Sequence, residues 1–64
     1  MLTHVYIVKN DYSQTICASL DAALGIVVLD SQFHYPDLII CGENEFIVVT
    51  PDREYLVQRE FVLY

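Results

Sequence analysis

The sequence predicts an α+β fold, a small antiparallel sheet of four to five strands with one helix packed on one face. Three observations predict it. Several short segments are rich in Val, Ile and Tyr, one longer apolar segment begins at a helix-capping residue, and short turn-forming stretches separate them. Strands joined by such short connections pair with their neighbours, so the predicted element order is ββαβββ. A chain of 64 residues has room for one core, and residues 1–64 are therefore expected to form a single domain.

The first two strand candidates are joined by a turn. His4–Lys9 alternates apolar residues between two faces, as a strand does. Asn10-Asp11 follows with residues that tolerate unusual backbone angles. Ser13–Ala18 is then predicted to pair back as a short second strand. The sequence leaves open to which edge of the sheet the first strand adds.

A helix is predicted at about Leu20–Phe33. Ser19 is a good N-cap, and Asp21 lies in the first turn, where the helix dipole favours a negative charge. All but a narrow stripe of the helix surface is apolar, so it needs burial on two sides, whereas a sheet covers only one. The β-branched run Ile26–Val28 leaves a buried strand as the alternative. Tyr35-Pro36-Asp37 ends the helix, because the residue before a proline avoids helical angles.

The last three strands are predicted to form a meander. Leu38–Cys41 is short and apolar, and Gly42–Asn44 provides a hairpin loop. Glu45–Thr50 is rich in Ile and Val. Thr50–Arg53 then fits a turn with proline in its second position, and Glu54–Tyr64 is the longest strand.

The charge balance is strongly acidic, with nine carboxylates against three basic residues and a net charge of −6. Direct binding to nucleic acid or to an anionic membrane is not expected, since phosphate contacts need Lys and Arg. The charge either keeps an apolar small protein soluble or directs it to a basic surface on another protein. The first residues show no signal peptide, so a cytoplasmic location is expected.

Residues able to support catalysis or metal binding are few. His4, His34, Cys17 and Cys41 lack the close pairing that zinc sites use, and neither a metal nor a cofactor is expected. The cysteines are interpreted as reduced core residues and the histidines as surface residues. With no glycine-rich phosphate loop and no nucleophile-and-base motif, an enzyme is not expected.

The candidate partner-binding set combines acidic loop residues with aromatic anchors: Asp37, Glu43, Glu45, Asp52, Glu54, Tyr35 and Tyr55. Antiparallel pairing predicts that Asp37, Asp52 and Glu54 lie at one edge of the sheet. Glu43 and Glu45 should lie at the other. Tyrosine is enriched in protein interfaces because it offers apolar area with a polar end.

Two acid-rich hairpins, Gly42-Glu43-Asn44-Glu45 and Pro51-Asp52-Arg53-Glu54, give the chain a general resemblance to small acidic inhibitors encoded by phages and prophages. These include anti-CRISPR proteins, restriction inhibitors and host-polymerase inhibitors. The resemblance implies inhibition by occlusion inside a bacterial host cell. Acidic side chains, acting as a DNA mimic, would occupy the basic nucleic-acid site of a nuclease or polymerase, most concretely a CRISPR–Cas effector.

A homodimeric structural or regulatory module, such as an antitoxin-like protein, is the alternative. Its motivation is the helix that is apolar on nearly all sides, together with the final strand ending in Phe61-Val62-Leu63-Tyr64. An exposed edge strand invites pairing with a second copy. A small metal- or thiol-dependent enzyme is the third hypothesis, and it requires bound zinc or a reactive thiol.

Overall fold

The computed structural model describes residues 2–63 as one five-stranded antiparallel sheet with a single helix. In chain order the elements are β1 Leu2–Lys9, β2 Gln14–Cys17, α1 Leu20–Ser31, β3 Asp37–Ile40, β4 Glu45–Val49 and β5 Glu54–Leu63. The predicted α+β class and the order ββαβββ are confirmed. Tyr64, the predicted end of β5, lies outside the described residues. Within that range no helix is both long and apolar enough to cross a membrane.

The strands lie side by side in the order β2-β1-β5-β4-β3. The first strand adds to the β3–β4–β5 meander beside β5, and β2 folds back along the outer side of β1. On its inner side β1 pairs with β5 over its full length, from Leu2 opposite Leu63 to Lys9 opposite Leu56. The two longest strands therefore form the centre of the sheet, and the short strands β2 and β3 form its edges.

Local signals set the limits of α1 and exclude a buried strand there. The Ser19 hydroxyl accepts a hydrogen bond from the Ala22 N–H at 3.1 Å, which satisfies a donor that the first helical turn leaves unpaired. The helix ends two residues before the predicted Phe33. Gln32 adopts a left-handed conformation with φ 59°, and its N–H donates to the Val28 carbonyl. This αL cap reverses the chain towards β3.

The core lies between α1 and one face of the sheet, which we call the helix face. Its buried side chains come from α1 and from alternate strand residues: Tyr6, Val8, Cys17, Ala23, Val27, Phe46, Val48, Tyr55 and Val57. Only Ala23 and Val27 of the helix are buried, and Leu29 stays 76% exposed. The helix is therefore covered on one side, although its composition would allow burial on two.

Candidate protein-binding surface

The face of the sheet opposite α1 is uncovered, and we call it the open face. Side chains alternate across a strand, so strand register assigns eight apolar residues to it: Val5, Ile7, Ile16, Ile39, Ile47, Val49, Leu56 and Val62. Within residues 3–63, every buried strand side chain lies on the helix face and none on the open face. Ile16 and Ile39 are exposed and the other six are half-buried, and polar side chains alternate with them, so the open face is a mixed surface without cover.

The middle of the open face is a row of side chains that crosses four strands. Lys9 lies opposite Leu56, Leu56 opposite Ile47, and Ile47 opposite Ile39. Neighbouring strands are about 4.8 Å apart, so Leu56, Ile47 and Ile39 form a continuous apolar strip. A groove of about 300 Å³ lies beside this strip, lined in part by Lys9, Ile47 and Leu56.

One end of the open face is acidic. Glu54 lies opposite Val49, and Val49 lies opposite Asp37, so the two carboxylates share a row about 10 Å apart. A second groove of about 160 Å³ brings Asp11 and Asp52 beside Glu54. The predicted proximity of Asp37 and Glu54 follows from this register. We call Asp11, Asp37, Asp52 and Glu54 the acidic end.

Further carboxylates lie at the opposite end, which we call the hairpin end. Glu45 is opposite Gln58, about 13 Å along the strand from the row of Glu54, and Glu60 is its diagonal neighbour. Glu43 lies in the loop between β3 and β4. The predicted separation of Glu43 and Glu45 from Asp37 therefore matches the strand order.

Arg59 fixes the hairpin end from the neighbouring strand. Its guanidinium donates to the Glu43 carbonyl and, at 3.1 Å, to the Asn44 side chain, while its backbone N–H donates to the Asn44 carbonyl. These bonds link the β3–β4 loop to β5. They also engage one of the protein's three basic residues in a structural role.

The two predicted aromatic anchors have opposite environments. Tyr35 is 85% exposed in the connection between α1 and β3, so its ring is available to a partner. Tyr55 is 1% exposed on the helix face, and its hydroxyl donates to the Asp30 carboxylate at 2.6 Å. The prediction that Tyr55 is a surface anchor is wrong, because its position in β5 turns the ring under α1.

The Tyr55–Asp30 contact continues to a cation. Arg53 donates to the same Asp30 oxygen at 3.3 Å and forms an ion pair with it. Burial of the Tyr55 ring and its hydrogen bond to Asp30 raise the pKa of the phenol above 10.0. The proximity of the Tyr55 phenol raises the pKa of the Arg53 guanidinium in turn. The contacts among Asp30, Arg53 and Tyr55 join the end of α1 to the start of β5. They involve no residue of the open face.

Sequence reasoning missed the apolar strip and one residue of the acidic end, Asp11. Asp11 lines the groove beside Glu54, and its neighbour Tyr12, which lines the same groove, is 88% exposed. The available signal was that apolar residues occur on both alternating faces of the strands, whereas a single helix covers only one face.

The metal-ligand candidates do not converge. Both histidines are exposed, and no group of three or more His, Cys, Asp or Glu side chains within residues 2–63 is arranged to hold a metal ion. Both cysteines are free. Cys17 is buried as predicted, but the interpretation of Cys41 as a core residue is wrong, because it follows an edge strand and is exposed.

Comparison of the chain with protein-family models, with curated proteins and with solved structures finds no match. What the surface does is therefore inferred from its own residues.

Proposed function

We propose that this protein is a binding module whose open face docks onto a partner protein and blocks a nucleic-acid-binding site there. The observation that carries the proposal is the apolar strip of Leu56, Ile47 and Ile39 on a sheet face without cover, with carboxylates at both ends. Contiguous exposed apolar surface bordered by polar residues is typical of interaction sites. The partner of matching chemistry has an apolar patch between basic side chains.

Charge argues against a second copy as the occupant of this face. Register assigns to it four carboxylates, Asp37, Glu45, Glu54 and Glu60, and one cation, Lys9. Two such faces packed together would oppose like charges, which costs several kcal/mol when they are juxtaposed. A basic partner would turn the same carboxylates into favourable contacts.

Strongly basic protein surfaces are most often nucleic-acid sites, since phosphate contacts require Lys and Arg. Nucleases and polymerases are therefore the favoured partner class. A CRISPR–Cas effector, with its arginine readers and positive channel, is a concrete member. The carboxylates form two groups separated by the apolar strip. This spacing favours occlusion by docking over imitation of a continuous row of phosphates.

The two parts of the surface have different energetic roles. The strip of Ile39, Ile47 and Leu56 supplies apolar area at the centre of the contact, where binding energy concentrates. The carboxylates at the ends, being solvent-exposed, mainly accelerate association and set its salt dependence. Tyr35, beside the edge strand β3, adds an aromatic contact at the rim.

A matched pair of charge insertions tests the docking face. Ile47→Lys places a charge in the apolar strip, whereas Leu29→Lys makes the same kind of change on the exposed side of α1. The wild-type protein is used to capture a partner from bacterial lysate at low salt, and the captured protein is then purified for direct titration. Loss of a central apolar contact costs more than about 1.4 kcal/mol, so Ile47→Lys should weaken binding at least tenfold. Leu29→Lys should bind as the wild type does.

A second pair tests the carboxylates. Glu54→Lys and Asp21→Lys change the net charge equally, but only Glu54 borders the open face. We expect Glu54→Lys to slow association at low salt and to flatten its dependence on salt, with little effect from Asp21→Lys. The wild-type protein must also displace DNA or RNA from the purified partner. A partner that keeps its nucleic acid, or equal effects of the two variants, contradicts the proposal.

A further inference from the structure

The edge strand β3 is short, but its three apolar residues, Leu38–Ile40, are open to pairing with another strand. All four of its residues are exposed, and Leu38, Ile39 and Ile40 are 38%, 49% and 70% exposed. Proteins usually guard such an edge with lysine, proline, a bulge or a covering loop. None of these devices interrupts Leu38–Ile40.

The backbone of β3 has a defined outward side. The Cys41 N–H donates to the Glu45 carbonyl at 3.0 Å, so Cys41 faces β4. Backbone groups alternate in direction along a strand, and Asp37 and Ile39 therefore also face β4. The N–H and C=O groups of Leu38 and Ile40 point away from the sheet, where they lack strand partners.

We propose that two copies of this chain pair through β3, antiparallel, with Ile39 on the two-fold axis. Leu38 of one copy then lies opposite Ile40 of the other. These are the residues whose backbone groups face outward, so both exchange hydrogen bonds across the interface. The two Ile39 side chains meet on the open face. This pairing is independent of the proposed function.

Charge and backbone hydrogen bonding favour this register over the two registers whose two-fold axis lies one residue away. With Ile39 on the axis, Asp37 lies opposite Cys41, and no carboxylate opposes another. A two-fold at Ile40 would place Asp37 opposite Glu43, a like-charge pair. A two-fold at Leu38 would place Ile40 opposite Pro36, which has no N–H to donate.

The paired copies form one ten-stranded sheet, twice the five strands of each chain, with both helices on the same side. The two open faces become continuous, because Ile39 ends the apolar strip in each copy. A single short strand buries less area than the roughly 1,200 to 2,000 Å² of a standard interface. The dimer is therefore expected to dissociate at micromolar concentrations.

Proline substitutions at matched edge positions test the pairing. Ile40→Pro removes an outward N–H of β3 and leaves the bonds to β4 intact. The control Ile16→Pro removes an N–H that strand alternation turns outward on the opposite edge strand, β2. Sedimentation equilibrium from low to high micromolar concentration should show a dimer fraction that rises with concentration for the wild type and Ile16→Pro, and monomers throughout for Ile40→Pro. A wild type that stays monomeric up to the highest concentration, or an Ile40→Pro variant that dimerises as the wild type does, overturns the proposal.

A crosslink tests the register without depending on the proline variants. In the proposed pairing residue 37 lies directly opposite Cys41 of the other copy, with Cα atoms about 4.5 Å apart, close enough for a disulfide. Asp37→Cys should therefore give a covalent dimer with oxidised glutathione. The wild type should not, because two Cys41 residues lie about 13 Å apart along the paired strands. The control Asp52→Cys, whose thiol lies in the turn between β4 and β5 and outside the paired strand, should not either. Absence of the Asp37→Cys crosslink in a sample that sediments as a dimer overturns this register.

Discussion

Replacing Tyr55 with phenylalanine isolates one buried hydrogen bond. The ring is 1% exposed, and its hydroxyl donates to Asp30 at 2.6 Å. Phenylalanine keeps the ring and removes only the hydroxyl. Hydrogen bonds to charged groups contribute about 1.5 to 3 kcal/mol. Since the Asp30 side chain is 42% exposed, solvent competes for the carboxylate, and we expect a loss of about 1 to 2 kcal/mol.

That loss is large for a chain of 64 residues, whose total stability is of the order of a few kcal/mol. It corresponds to a fall in Tm of roughly 5 to 15 °C. Urea unfolding and thermal unfolding, both followed by circular dichroism, measure it. Tyr35→Phe is the matched control, because the same hydroxyl is removed from a ring that is 85% exposed.

A double-mutant cycle assigns the loss to the contact. Tyr55→Phe, Asp30→Ala and the double variant should give a coupling energy of about 1 kcal/mol. Asp30→Ala also frees Arg53, but that exposed ion pair contributes little. Equal stability of Tyr55→Phe and Tyr35→Phe, or a coupling energy near zero, would refute the assignment of Tyr55 to the core network.

Three further predictions concern stability. The pKa of Tyr55 in the folded protein is raised above 10.0, so the stabilisation by its hydroxyl is complete below pH 10 and is lost as pH rises through the folded pKa. The unfolding free energy should therefore fall more steeply at alkaline pH for the wild type than for Tyr55→Phe. Val27→Ala removes buried methyl groups from a fully covered site and should cost about 2 kcal/mol in urea unfolding, whereas Ile16→Ala on the open face should cost clearly less. Gln32→Gly relieves a left-handed residue at the end of α1 and should raise the unfolding free energy by several tenths of a kcal/mol; a decrease would show that this cap is unstrained.

The secondary structure could be predicted because its signals are local. Ser19 caps α1 by a bond to a residue three positions away, and Pro51 begins a turn that its own ring favours. The strand order was harder. The position of β1 depends on its pairing with β5, which lies far along the chain. It also depends on whether β2 or another strand pairs with the other side of β1.

The candidate surface was predicted in part. Asp37 and Glu54 share a row because hairpin register carries across short turns, and this followed from the sequence. Tyr55 was misplaced because it was assessed as an interface tyrosine and not by its strand position. Alternation along β5 puts Tyr55 on the same face as Val57, Phe61 and Leu63, the more apolar face, which is the one that α1 covers.

Sequence alone determined the α+β class, the element order and the acidic balance, since capping, turn chemistry, side-chain alternation and charge act within a few residues. The tertiary structure alone decided that β1 pairs with β5, that α1 covers only one face of the sheet and that the other face has no cover. The physical reason is that distant strands can pair in more than one order and α1 can pack on either side of the sheet. Which arrangement forms depends on the total apolar area that it removes from water, and that area is a property of the whole folded chain.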